Sequence, residues 1–165
     1  MSPSPLSHAD LRNVVRLAPL VSIDLIIRNS QNYVLLGLRN NEPAKGFYFV
    51  PGGRIWKGES LQDAFARILK SETNCVESLD KASALGVYEH FYAVNRFDEC
   101  GYGTHYVVLA FALKVDDTSV LKVDTQHYEF RWWNERDIIE SEHVHEHTKE
   151  YFVRPPRFAA SLNSE

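Results

Sequence analysis

The chain has 165 residues, a length that suits one folding domain, and 44% of them are hydrophobic and 12% aromatic, enough to bury a sizeable core. Asp and Glu (22) outnumber Lys and Arg (18), leaving a formal net charge of −4. That balance excludes an extended nucleic-acid grip, which needs a basic surplus, so an anionic substrate would have to be met by local cations or a metal.

In chain order, SPSPLSHADLRNVVRLAP begins as a loose arm, within which ADLRNVVRL offers a short amphipathic helix ended by Pro19. LVSIDLIIRN is rich in β-branched residues, and the turn-like NSQN after it is followed by YVLLGLRN, a pair that predicts a hairpin. FYFVPGG reads as a short strand closing in a Pro-Gly-Gly loop. From Ser60 to about Thr73 the spacing predicts a helix with Leu61, Ala64, Phe65 and Ile68 on one apolar face. ALGVYEHFYAV and THYVVLAFALKV read as strands flanking the irregular loop NRFDECGYG. HYEFRWWN is another strand, ERDIIESEHVHEHTKEYF a terminal helical region, and RPPRFAASLNSE a polar, Pro-marked tail expected to be poorly ordered. A mixed sheet with helices packed on it is the simplest α/β arrangement of these elements.

Two cysteines, Cys75 and Cys100, resemble neither a disulfide nor a zinc framework and suit a reducing compartment. The N-terminus lacks a signal-peptide layout, and the apolar run LVSIDLII is short and interrupted by Asp24. The expectation is a cytoplasmic protein without a membrane partner.

The chemistry concentrates in PGGRIWKGESLQDAFARILKSE, Pro51 to Glu72. Projection of the helix places Glu72 about 20° from Leu61, in the middle of the apolar face, where an unpaired carboxylate is costly unless it loses its charge or finds a cation. A position in the final turn, reaching solvent, is the competing reading. Glu59, just before the helix, and Arg67 within it are placed to form a local ion pair that would hold the loop carrying Gly52 and Gly53.

Gly53-x5-Glu59-x7-Arg67 followed by Glu72 resembles the Nudix box, G-x5-E-x7-R-E-U-x-E-E-x-G-U with U bulky and apolar. The chain departs from it at Ile68, Ser71 and Asn74, where the family has Glu, Glu and Gly. The resemblance implies a Nudix fold, a mixed β-sheet sandwiched between α-helices. It would fill residues 1–152 as one domain, with an N-terminal arm and helix over 1–19 and a flexible tail over 153–165. Box carboxylates ordinarily hold several Mg²⁺ ions that activate water against phosphorus. With Ile68 and Ser71 in place, one acid remains on that face, enough to help hold a single Mg²⁺.

Further segments (LVSIDLI, LLGLRNNEPAKGFYFVPGGR, VYEHFY, THYVVLAF and TQHYEFRWW) resemble the GDP-mannose mannosyl hydrolase subfamily, over roughly Leu20 to Phe152. That resemblance implies Mg²⁺-dependent hydrolysis of GDP-mannose, and to some extent GDP-glucose, at the anomeric carbon with inversion. It implies Mg²⁺ bound by the Gly52 carbonyl, Glu72 and Gln126, with His127 as general base. By the same resemblance Arg39 and Tyr106 stabilise the departing diphosphate, Asp24 contacts the sugar, and Arg54 lies near the substrate while Arg67 is structural. His90 matches without a defined role, and the implied partners are a nucleotide-sugar substrate and a second copy in a homodimer.

Read without the resemblance, each of these residues has an ordinary alternative. Gln126 and His127 would be exposed loop residues, Arg39 a surface arginine, Tyr106 an edge or core aromatic, and Asp24 the solvent face of an alternating strand. The run HVHEH is expected to be a solvated helix face, because His143 and His147 would share a side while His145 points away. His145 falls in a stretch resembling the family's C-terminal segment. Two further functions compete with the glycosyl hydrolase: an ordinary Nudix pyrophosphohydrolase acting at phosphorus, and a nucleotide-sugar binding module with a decayed box.

Overall fold

The computed structural model describes residues 3–115 and 129–153. Helix α1 (His8–Leu17) is capped by Ser7, whose hydroxyl accepts the Asp10 N–H, and it buries Leu11 and Val15. Strands β1 (Leu20–Arg28) and β2 (Val34–Leu38) form the expected antiparallel pair, with Arg28 opposite Val34. The FYFVPGG stretch divides into β3 (Tyr48–Phe49) and β4 (Gly52–Arg54), which pair with β2 and β1 respectively. Helix α2 spans Leu61–Thr73, β5 covers Ser83–Tyr92, β6 Thr104–Lys114 and β7 Phe130–Trp133. The expected terminal helical region is two helices, α3 (Glu135–Glu140) and α4 (Glu146–Val153). Val153, expected to open the tail, closes α4, and residues 154–165 lie outside the described residues.

Seven strands form one mixed sheet in the order β3-β2-β1-β6-β5, with β4 beside β1 and β7 beside β2. β1 and β6 run parallel over nine residue pairs, from Leu20–Tyr106 to Arg28–Lys114, whereas β5 and β6 are antiparallel. With partners on both edges and helices over both faces, β1 does not alternate: every residue from Ser22 to Ile27 is buried. The solvent-face alternative for Asp24 fails for this reason.

One face of the sheet packs Ile23, Leu25, Ile27, Phe111 and Leu113 against Phe65, Ile68 and Leu69 of α2. The other packs Ile26, Leu36, Val108 and Ala110 toward Ile138 of α3, with Tyr151 and Phe152 of α4 at its margin. A mixed sheet between helices is thus the architecture. No helix among the described residues is long and apolar enough to cross a membrane.

Helix α2 begins at Ser60, whose hydroxyl accepts the Asp63 N–H, and ends at Asn74 in the left-handed conformation (φ 60°). This accounts for one departure from the motif. Asn is the residue other than Gly that most readily adopts that conformation, so the helix stops in the same way. Leu61, expected on the apolar face, is 38% exposed because it sits in the first turn, while Ala64, Phe65, Ile68, Leu69 and Thr73 are buried.

Candidate active site

The loop between β4 and α2 is held by the ion pair that the spacing predicts. Arg67 Nε and Nη2 donate to the two oxygens of Glu59 at 2.6 and 2.8 Å, and Nη2 also donates to the Arg54 carbonyl at 2.8 Å. The Trp56 N–H donates to Glu59 Oε2, and the Arg67 guanidinium lies 3.8 Å from the centre of the Trp56 ring. Glu59 is only 4% exposed at its side chain, and these donors hold its carboxyl below the usual range. A bidentate, stacked and partly buried pair of this kind fixes backbone, and the backbone it fixes is that of the Gly-Gly strand.

Gly52 has no room for a side chain. A Cβ there would come within 2.5 Å of Asp24 Oδ1 and 2.8 Å of the Ile23 carbonyl. Gly53 is closed off by Ile68, whose Cγ1 would lie 3.2 Å from a Cβ at that position. Ile68 is thus part of the core beneath the loop, 1% exposed. Ser71 is exposed, and its hydroxyl turns back to the Ile68 carbonyl at 3.1 Å. Of the three acidic box positions that follow Arg67, only Glu72 carries a carboxylate.

Glu72 keeps the central angle of the helix face but belongs to the last turn, where a cavity replaces packed side chains. That cavity is lined by Glu72, Gly52, Arg39 and Phe130 among others. Burial pushes the Glu72 carboxyl up, and the charges of Arg39 and Arg67 pull it back. Among the described residues no side chain is hydrogen-bonded to it. A second cavity shares Arg39, Phe49, Val50 and Gly52 with the first and adds Asp24, Arg54, His90, Tyr92 and Tyr106. Arg39 stands between the two lobes. Its Nε is buried and has no hydrogen-bond partner among the described residues, a donor held ready for an anion.

Behind Asp24 and His90 of that second cavity lies α4. The Tyr151 hydroxyl donates to Asp24 Oδ2 at 2.7 Å and lies 3.3 Å from His90 Nε2. Burial raises Asp24 to about 6 in spite of that hydrogen bond and the charge of Arg39. His90 is pushed down to about 3, first by burial and then by the neighbouring His147 and His145. His90 and His147 stack with ring centres 4.2 Å apart and planes within 5°.

This geometry corrects the reading of HVHEH as a solvated helix face. His143 and His145 precede α4, Val144 bridges to Tyr48, and His147 is 7% exposed. His145 packs its ring against Phe47, Phe49 and Tyr92. The stretch passes through a turn and the Val144 bridge before the helix starts, so His145 and His147 face the sheet while His143 stays exposed.

The structure therefore brings Asp24, Arg39, Gly52, Arg54, His90 and Tyr106 to one cavity and Glu72 to the adjoining one, while Gln126 and His127 lie outside the described residues. Sequence reading missed Tyr92 and Tyr151. Tyr92 could have been found from its i+2 spacing to His90 on a strand, since alternate residues share a face. Tyr151 offered no signal of its own.

The model of the NUDIX domain family matches residues 18–154. The chain belongs to the Nudix hydrolase family. It is 42% identical over 118 residues to the low-salt glycan biosynthesis protein Agl8 of Haloferax volcanii, covering 72% of each chain. It is also 40% identical over 72 residues to an ADP-ribose pyrophosphatase of Methanocaldococcus jannaschii, a match of 44% of this chain and 41% of that protein. The fold resembles the MutT protein of Methanosarcina mazei Go1, with a TM-score of 0.65 at 21% identity over 81% of this chain and 91% of that one.

Nudix hydrolases generally work with a divalent metal such as Mg²⁺, and the residues present fit one. Glu72 and Gly52 line the same lobe and offer hard oxygen donors, a carboxylate and a carbonyl, as such a cation prefers. A partly desolvated carboxylate without a hydrogen-bonded partner among the described residues is suited to a cation as its counter-charge.

Proposed function

We propose that this Nudix hydrolase cleaves GDP-mannose to GDP and mannose by water attack at the anomeric carbon with inversion. The observation that carries this reading is the poverty of the box helix in carboxylates: Ile68 is sealed under Gly53, Ser71 bonds its own helix, and Glu72 alone faces the cavity. Attack on phosphorus by a metal-activated hydroxide draws on more acids than that.

A single Mg²⁺, with the Gly52 carbonyl, Glu72 and Gln126 as proposed ligands, would offset charge on the diphosphate as it leaves. Arg39, whose buried Nε has no partner among the described residues, and Tyr106 bind the diphosphate oxygens and stabilise them as they gain charge. Arg54 adds positive charge at the same cavity. Asp24 accepts a hydrogen bond from a sugar hydroxyl, and His127 takes the proton of the attacking water as general base. A diphosphate leaving group needs no protonation, so one displacement from the face opposite the α-linked diphosphate suffices, and inversion follows.

The 42% identity to a protein named for glycan biosynthesis supports a sugar-linked substrate. The match to an ADP-ribose pyrophosphatase favours a second reading, cleavage at phosphorus. Hydrolysis in ¹⁸O-labelled water separates the two. We expect label in mannose and none in GDP, with the β anomer released first. Label in a phosphate, with mannose 1-phosphate and GMP as products, refutes the glycosyl mechanism.

A further inference from the structure

We propose that Tyr151 is a positioning residue for the sugar side of the site: its hydroxyl donates to Asp24 Oδ2 and accepts a hydrogen bond from His90 Nε2–H, leaving Asp24 Oδ1 as the acceptor for a substrate hydroxyl. The inference rests on the reading of Asp24 as a sugar-binding group.

Proton counting carries the argument. A tyrosine hydroxyl has one proton to give, and the 2.7 Å contact with a carboxylate that can only accept takes it. The 3.3 Å contact with His90 Nε2 must then be donated by the histidine, which makes His90 the neutral Nε2–H tautomer. Burial of His90, 2% exposed, against the stacked ring of His147 disfavours its charged form and agrees with that assignment.

The two oxygens of Asp24 are thereby distinguished. Oδ2 is held from behind by α4, whereas Oδ1 lies beside Gly52, in the residue position where a Cβ would meet it at 2.5 Å. Gly52 and Asp24 both line the cavity, and Tyr151 does not. The Tyr151 ring is itself fixed edge-to-face on Tyr88, with centres 4.7 Å apart, so its hydroxyl has one direction to point. Tyr151 therefore acts through Asp24 and His90. A carboxylate fixed by one oxygen discriminates for a hydroxyl at the other, because a misaligned acceptor loses most of a hydrogen bond made to a charged group.

Tyr151→Phe keeps the ring packing and removes only the hydroxyl. Affinities of the Mg²⁺-loaded protein for GDP and for GDP-mannose, with kcat and KM, read the effect. We expect GDP affinity within about twofold of wild type, and the preference for GDP-mannose over GDP and kcat each lowered about tenfold, the scale of a hydrogen bond to a charged group. Asp24→Asn should cost at least as much, and adding Tyr151→Phe to it should cost little more.

Wild-type discrimination in Tyr151→Phe, an equal loss for GDP alone, or full additivity with Asp24→Asn overturns the proposal. Imidazole ¹⁵N shifts of His90 in the unmodified protein test it without any variant. Nε2–H is expected, and the Nδ1–H tautomer overturns the clamp. Label from ¹⁸O water reports separately which bond breaks, so failure of the glycosyl mechanism would appear there and not in the affinity ratio.

Discussion

Restoring the family's acid at position 68 tests whether that position belongs to the core or to the site. In Ile68→Glu, an isoleucine 1% exposed and packed among Phe65, Leu69 and Ile23 is replaced by a carboxyl beneath Gly53. Lost apolar burial costs about 2–3 kcal/mol. The new carboxyl would stay neutral where it is buried, and holding it protonated at pH 7.5 against a reference pKa of about 4.3 adds up to about 4 kcal/mol. A total of up to about 6–7 kcal/mol corresponds to a melting temperature lower by up to roughly 12–28 °C in a domain of this size.

The pH dependence identifies the mechanism. The unfolded chain releases the proton near 4.3 and the folded chain retains it, so the mutant's deficit is largest at neutral pH. It should shrink by about 1.4 kcal/mol for each pH unit lowered toward 4.3. Thermal melts of Ile68→Glu, Ile68→Met and wild type at pH 7.5 and pH 5 measure this, with Ile68→Met expected within about 1.5 kcal/mol of wild type because it conserves volume. An Ile68→Glu protein as stable as wild type at both pH values would mean that the side chain reaches the cavity, and the core assignment would be wrong.

Glu72→Gln should lower kcat at least tenfold and raise the Mg²⁺ requirement, while the melting temperature in EDTA is unchanged or higher because a partly buried charge is gone. Unchanged Mg²⁺ dependence would remove Glu72 from the metal site. His127→Gln should lower kcat by roughly 10²-fold or more with little change in KM and abolish the acid limb of the pH–rate profile; a limb that survives points to another base. His90 is held neutral down to about 3 in the folded protein, whereas an unfolded histidine binds its proton near 6.5. Its contribution is therefore fully present above 6.5 and is lost as pH falls toward 3. The stability of wild type relative to His90→Gln, from urea unfolding in EDTA, should drop by about 2 kcal/mol between pH 7.5 and pH 5, and a constant difference would contradict a neutral His90.

The amino-acid sequence by itself determined what is local. The spacing of Gly53, Glu59 and Arg67 specified the clamp under the Gly-Gly strand, because a helix start and the loop before it lie within reach of one another's side chains. Apolar period placed α2 to within a residue, and the turn signals placed the β1–β2 hairpin. The family motifs singled out Asp24, Arg39, Arg54, His90 and Tyr106, which meet at one cavity.

Only the tertiary structure decided how those groups are used. Asp24 reads as a break in an apolar strand until β6, parallel to β1, and α4 enclose it. Its hydrogen bond comes from Tyr151, 127 residues away. HVHEH has helical spacing, yet the bridge from Val144 to Tyr48 delays the helix to Glu146, and His145 and His147 turn inward onto Phe49 and His90. Periodicity records the preference of a segment for one face, but it carries no information about which distant element will cover that face. The burial that shifts Asp24 and His90 arises only when α4 closes against the sheet.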